Sequence, residues 1–479
     1  MPSLFNSTLW SAIQRGLGLG ISFISNIVLA RLLCPDDFGA VAMIMVFVGF
    51  ADVLVEGGLG NALIQKKDLT QDDIRTVFST NFAISVFLFI VLFSCSSFIE
   101  SYVKIEGFSL YLRVEAVIVL IRAFYVVNHA LMNREMKFKQ LALISLTTHF
   151  ISTTGAITLA LLGCGVWSLI VKNILLDLAS CILYAVVIKV PYRFGFKRDS
   201  FSKLFSFGVF VSLSNMAETA YSYFLSFILG KKYSVEQLGY YNQAFSLEQI
   251  PVYSTTMVLN QVLFPYLSKS QDNKNAIKET IKQSTLATSF FVFPVMAFLI
   301  FFAEPTIVFI YSAKWLPAVP FFQILCVYGF TNFIYHSNRN VLKSIGASKM
   351  LFYTQLACTL LSILLIVVGM QFSIIVVISI AVSTSVLELL IIGGFAGKRI
   401  NYSIFRQILD VLPNLLFSFI AASIAYFLLG YLTVPIFVQI LLGGLICLAI
   451  YLILHVVFHS QSYSIVFGVF KRQINSKRK

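Results

Sequence analysis

Long apolar runs separated by short polar connections recur along the whole chain. Most exceed the roughly 18 residues that read as a membrane-crossing helix. Taking each run between charged or turn-rich segments predicts about fourteen helices. They fall at 8–33, 39–64, 77–100, 108–133, 140–163, 166–190 and 202–230. The second half continues at 239–268, 281–304, 317–345, 348–370, 373–397, 408–430 and 434–458. Barrel strands would instead show short alternating segments, which excludes an outer-membrane barrel. No connection is long enough to fold into a domain of its own.

Composition agrees with this pattern. Of 479 residues, 58% are hydrophobic and 12% charged, about half the charge of a typical soluble protein. The expected class is therefore an all-α polytopic membrane protein, and soluble enzymes and secreted disulfide scaffolds are excluded. Seven Cys lie singly, with no CxxC or Cys/His cluster, so no metal site is indicated. The first seven residues carry no charged side chain, and the first apolar run is too long for a signal-peptide core, so no cleavable leader is expected.

The net charge of +14 gains meaning once the cations are placed. Of the 35 Lys and Arg, 25 lie in connections after even-numbered helices or in the tail; Lys104, Lys231, Lys232 and Lys314 lie in the opposite connections. This alternation predicts that both termini are cytoplasmic, and it makes a nucleic-acid partner unnecessary. The tail mixes Ile465, Val466, Phe467 and Phe470 with basic residues, a pattern suited to the surface of an anionic leaflet.

Residues 29–39, LARLLCPDDFG, and 229–239, LGKKYSVEQLG, align at an offset of 200: Leu29 with Leu229, Arg31 with Lys231, Phe38 with Leu238 and Gly39 with Gly239. Each joins the first two helices of a six-helix block. An even number of helices gives both blocks one orientation, related by an axis along the membrane normal. The expected organisation is an N-lobe (1–200), a C-lobe (201–400), a helix pair (401–460) and a basic cytoplasmic tail (461–479). Two facing six-helix lobes make a transporter architecture.

The LARLLCPDDFG segment resembles the first-hairpin signature of Wzx-type polysaccharide flippases, in the multidrug/oligosaccharidyl-lipid/polysaccharide (MOP) superfamily. GLGNALIQKKDLTQDD at 58–73 and NREMKFKQLA at 133–142 resemble its WzxC-like branch. The resemblance is strongest over the first 145 residues. It implies a bacterial inner-membrane transporter that exports an undecaprenyl-pyrophosphate-linked oligosaccharide for surface polysaccharide synthesis. The implied partners are that lipid-linked oligosaccharide, membrane lipids, and the polysaccharide polymerase and export machinery.

Six cations fall within or near the ends of spans: Arg15, Arg31, Arg113, Arg122, Lys172 and Arg339. Arg31, Arg113 and Lys172 sit close enough to the outer ends to snorkel. Arg15, Arg122 and Arg339 are deeper, where an unpaired charge costs at least ~2.5–3.5 kcal/mol. Helical spacing puts Arg15, Ser22 and Asn26 on one face of predicted helix 1, and Glu115, Arg122 and His129 on one face of helix 4. It aligns Asn332, His336, Arg339 and Lys343 on helix 10. Such stripes should face a watery interior. Guanidinium forks suit pyrophosphate, so Arg15 and Arg339 are expected to bind it across a central cavity, with Asn26, Arg122, Asn332 and His336 lining the site.

Among the acids, Asp52 and Glu56 share a face at i, i+4 and can meet Arg15 or Arg122. They read either as charge partners or, with Glu218, as groups that bind a coupling proton or sodium ion. No other cofactor is expected. Pro251, Pro265, Pro294 and Pro413 are candidate kinks, and Trp10, Trp167 and Trp315 candidate interface anchors. Lipid transport needs no covalent chemistry, so an enzyme is not expected. The alternatives are an ion-coupled drug antiporter of the same superfamily, which would want an acidic cavity, and a polysaccharide-assembly membrane enzyme, which would want a large external loop.

Overall fold

The computed structural model describes residues 4–56, 59–66, 68–187, 194–269, 273–430, 432 and 434–468. Contacts divide the chain into two compact units, Met1–Gly239 and Tyr240–Lys479. The first contains α1 (Leu4–Leu32), α2 (Pro35–Glu56), α3 (Leu59–Gln65), α4 (Gln71–Val103) and α5 (Phe108–Glu115). It continues with α6 (Val117–Arg134), α7 (Phe138–Leu161), α8 (Val166–Val187) and α9 (Arg198–Lys232). Beyond it run α10 (Val235–Lys269), α11 (Lys274–Phe301), α12 (Ala303–Ile310) and a 3-10 turn, Ala313–Ala318. Then come α13 (Val319–Ser344), α14 (Ser348–Gly369), α15 (Ile374–Ile400), α16 (Ile404–Gly430) and α17 (Ile436–Val457). Residues 461–468 form a last short helix, α18.

Among the described residues every predicted span falls largely on helix, and no strand occurs. A bilayer demands this, because only a helix satisfies its own backbone groups in lipid. Ten helices are long and apolar enough to cross a membrane among the described residues, and the chain is a multi-pass membrane protein. Predicted helix 4 is interrupted at Ala116, which separates α5 from α6 and splits the expected Glu115–Arg122–His129 stripe. Predicted helix 2 comprises α2 and α3. Helix continues through Pro294 in α11 and Pro413 in α16. Trp315 is not an interface residue: it is fully buried, edge-on to Tyr240 at 5.8 Å.

In the first unit α1 packs on α7, α7 on α8, and α6 between α4 and α8; α9 lies against α2. That last contact places the first helix of the second sequence block with the N-terminal helices. In the second unit α13 packs on α11 and α15, α16 on α11 and α17, and α14 on α15.

The repeated corner has a structural reason for its glycines. A Cβ added to Gly39 would lie 1.8 Å from the carbonyl oxygen of Val235, and one added to Gly239 would lie 2.0 Å from that of Pro35. With the offset of 200 these are the same contact made twice, in opposite directions. Only glycine permits backbones to approach this closely.

The resemblance motifs also meet. Arg134 donates to the carbonyl oxygens of Leu63 (2.8 Å), Ile64 (3.2 Å) and Lys66, closing the C-terminus of α3. Thr70 and Asp73 form a capping box that opens α4, and Lys66 pairs with Asp73 at 2.6 Å. Across the same end of the unit, Lys197 pairs with Asp72 at 3.0 Å.

Candidate functional site

The first unit's polar interior centres on Arg122, at the middle of α6. Its Nε and Nη2 donate to the two carboxylate oxygens of Asp177 on α8, each at 3.1 Å. Nη1 pairs with Asp52 on α2. The Tyr125 hydroxyl, one turn along α6 from Arg122, donates to Asp177 as well. Bidentate pairing of this kind is the strongest geometry open to a guanidinium. Asp52 and Asp177 are 7% and 3% exposed, so both charges rely on the pairing. Close by, Glu115 is completely buried and accepts a hydrogen bond from Asn173 Nδ2 at 2.7 Å. Its second oxygen, Oε2, accepts none among the described residues.

Arg122 and Asp52 are thus brought together as charge partners, one of the two readings of Asp52. Two contributors escaped the sequence reading as site members, Asp177 and Tyr125. The available signal was helical spacing: Asn173 and Asp177 are at i, i+4 on α8, facing Arg122 and Tyr125 at i, i+3 on α6. Asn26 lies half-buried on α1. The side chains of Arg15, Glu56 and Glu218 lie outside the described residues.

In the second unit the expected site residues Asn332, His336 and Arg339 lie on α13. Asn332 is buried and donates to the Tyr328 hydroxyl at 2.5 Å. His336 packs edge-on against the Tyr335 ring at 5.2 Å, within electrostatic range of Arg339 and Lys343. Tyr335 donates to Glu388 of α15 at 2.9 Å and receives the Gln355 amide of α14 at 2.9 Å. Three residues on, Asn338 exchanges hydrogen bonds with Gln407 of α16 at 2.8 and 3.2 Å. Arg339, the next residue after Asn338, is half-buried.

An apolar groove of about 470 Å³ also opens in this unit. Phe291, Pro294 and Phe298 of α11 form one wall, Gly444 and Leu448 of α17 the other, and Phe467 of α18 one end. Gly444 presents open space where a side chain would begin. The groove uses α17 of the terminal helix pair, while α16 contributes no lining residue.

Arg113, expected to snorkel, donates to the hydroxyls of Ser96 (2.6 Å) and Ser97 (2.9 Å) and lies over the Phe93 ring.

A family described as polysaccharide biosynthesis protein matches residues 28–320. An uncharacterized membrane protein in the cps region of Klebsiella pneumoniae is 27% identical over 67% of this chain and 67% of its own length. The succinoglycan biosynthesis transport protein ExoT of Rhizobium meliloti is 26% identical, over 66% of this chain and 64% of ExoT. The lipopolysaccharide biosynthesis protein WzxC of Escherichia coli is 22% identical, over 67% and 65%. The chain therefore spans about two thirds of the length of these relatives. Among solved structures, the lipid II flippase MurJ in an inward closed conformation superposes with a TM-score of 0.74, at 18% identity, over 94% of this chain and 99% of MurJ. An inward-facing MATE transporter of the MOP superfamily superposes with a TM-score of 0.62 at 14% identity, over 82% of this chain and 98% of its own. These likenesses establish the fold.

Proposed function

The chain belongs to the polysaccharide biosynthesis protein family, and from that premise we propose that it is a flippase for lipid-linked oligosaccharides. It carries undecaprenyl-pyrophosphate-linked repeat units from the cytoplasmic to the periplasmic leaflet of the bacterial inner membrane by alternating access, with both termini in the cytoplasm. The observation that carries the lipid-linked reading is the apolar groove beside α17. A prenyl chain needs continuous hydrocarbon contact while its head crosses, whereas a drug-sized cation would not. The transport names of relatives such as ExoT support the class of cargo.

In this mechanism Arg15 and Arg339 neutralise the pyrophosphate, with Asn26, Asn332 and His336 offering neutral donors to phosphate and sugar. Arg122, already bidentate to Asp177 and paired with Asp52, serves as a fixed strut. A coupling proton or sodium ion drives the cycle through Glu56, Glu218 and the buried Glu115. No bond of the cargo is made or broken, so the protein acts as a transporter, handing its cargo to the polymerase and export machinery.

Arg15→Ala and Arg339→Ala are each expected to abolish export while the protein persists in the membrane. Gly444→Phe, which fills the groove without a backbone clash, is expected to slow export. Single lipid-linked repeat units should then accumulate inaccessible from the periplasm. Full export by the Arg15→Ala/Arg339→Ala double variant would refute the head-group assignment. Units accessible from outside in a deletion strain would refute flipping altogether.

A further inference from the structure

A second apolar cavity, of about 500 Å³, lies wholly in the first unit and takes no part in the transport reading above. Phe50 and Leu54 of α2, Leu88 and Val91 of α4, and Tyr223 and Phe227 of α9 line it. Phe50 is 45% exposed and Val91 38%, so the slot opens sideways, toward where hydrocarbon lies in a bilayer.

Next to one lining residue, Phe227, stand an aromatic ring and a cation. Phe227 forms the last apolar wall. Tyr102 runs parallel to it but offset, with ring centroids 6.2 Å apart and planes 3° from parallel. Lys231 places its ammonium 4.1 Å above the Tyr102 ring and donates to the Tyr102 carbonyl oxygen. Phe227 and Lys231 are one helical turn apart, on the same face of α9. An ammonium carries three donors. The carbonyl takes one, and the ring face, which is attracted to cations, fixes the rest in position.

We propose that this slot binds an anionic phospholipid, its acyl chain among the α2, α4 and α9 side chains and its phosphodiester against Lys231. A single ammonium is a compact point charge that matches one phosphodiester, whereas a pyrophosphate is better served by several cations or a guanidinium fork. A zwitterionic lipid would bring its own ammonium toward Lys231 and be repelled. Lys231 lies on the side opposite the cation-rich connections, so the lipid belongs to the leaflet facing away from them. The slot thus acts as a lipid seat on the first unit, separate from the groove beside α17.

The test is native mass spectrometry of the full chain released from detergent, titrated with phosphatidylglycerol, phosphatidylethanolamine and undecaprenyl phosphate. One lysine near a membrane surface corresponds to about a fivefold preference for the anionic phospholipid. Lys231→Gln should remove that preference, and Lys231→Arg should keep it. Val91→Trp should lower retention of every lipid by obstructing the slot while leaving the cation in place, and so reads the same site should Lys231→Gln fail to fold. Equal retention of phosphatidylglycerol and phosphatidylethanolamine by the unaltered chain would overturn the proposal. So would adducts that neither Lys231→Gln nor Val91→Trp changes, or undecaprenyl phosphate displacing phosphatidylglycerol.

Discussion

The two units solve the same problem, polar groups inside a membrane bundle, with different chemistry. In the first, three helices converge on one guanidinium: α6 supplies Arg122, α8 Asp177 and α2 Asp52. In the second, α13 meets its neighbours through neutral pairs, Asn338 with Gln407 of α16 and Tyr335 with Gln355 of α14. Glu388 enters there as the acceptor of the Tyr335 hydroxyl. A charged cluster tolerates no missing member, because each remaining ion is left buried. A neutral network loses less when one member goes. The first unit is thus built to hold its helices in one arrangement, and the second allows side-chain rearrangement at lower cost.

The largest effect should come from breaking the charged cluster. Arg122→Ala leaves Asp52 and Asp177 buried without their cation, at a cost of about 3–5 kcal/mol. Against a total stability on the order of 5–15 kcal/mol, that is a large fraction, and it should lower both the thermal melting point and the detergent size-exclusion yield. The comparison sharpens with Arg122→Met combined with Asp52→Leu, Asp177→Leu and Tyr125→Phe. That set removes every ion and the dependent hydroxyl together, and should restore most of the yield. An Arg122→Ala protein that melts like the parent would show that the cluster does not hold the helices.

The neutral network should respond more mildly. Asn338→Ala takes one partner from Gln407, which keeps its donation to the Tyr402 carbonyl at 3.0 Å. The expected loss is about 1–3 kcal/mol. In a cycle with Gln407→Ala, the double variant should lose less than the sum of the singles, with a coupling of about 0.5–3 kcal/mol. Strict additivity in melting temperature would mean that the exchanged amide bonds contribute nothing jointly.

How much of this was legible beforehand follows from the range of each interaction. The spans were legible because the bilayer imposes a length and an apolar composition on each helix separately. Asp52 was legible as a partner for a deep arginine because its solitary charge had to be neutralised somewhere. Asp177 was not, since choosing it required knowing that α8 lies beside α6, 55 residues away in sequence. Asn338 and Gln407, 69 residues apart, were hidden for the same reason. The break at Ala116 carries neither glycine nor proline to announce it. The 35/39 and 235/239 corners were visible as a repeat, but their reciprocal backbone contact depends on a crossing that spacing does not encode.

The smallest effect tests whether an arginine at the membrane edge behaves like one in the interior. Arg134 closes α3 through three carbonyl oxygens, yet it is only half-buried, so water can replace much of what it supplies. A helix seven residues long leaves most of its last carbonyls without internal partners, and charged donors at that end also oppose the helix dipole. Arg134→Ala should therefore cost only about 1–2 kcal/mol overall, toward the lower end of the range for charged hydrogen bonds. The change should be local: faster amide exchange and proteolysis around residues 59–70, with α6 and its Arg122 cluster unaffected. All three contacts come from the single nitrogen Nη1, and an ammonium also carries three donors; Arg134→Lys should recover part of the protection, as far as its differently shaped stem brings the ammonium to the same carbonyls. Unchanged exchange across 59–70 in Arg134→Ala would mean that Lys66–Asp73 and the Thr70 capping box hold this corner without it.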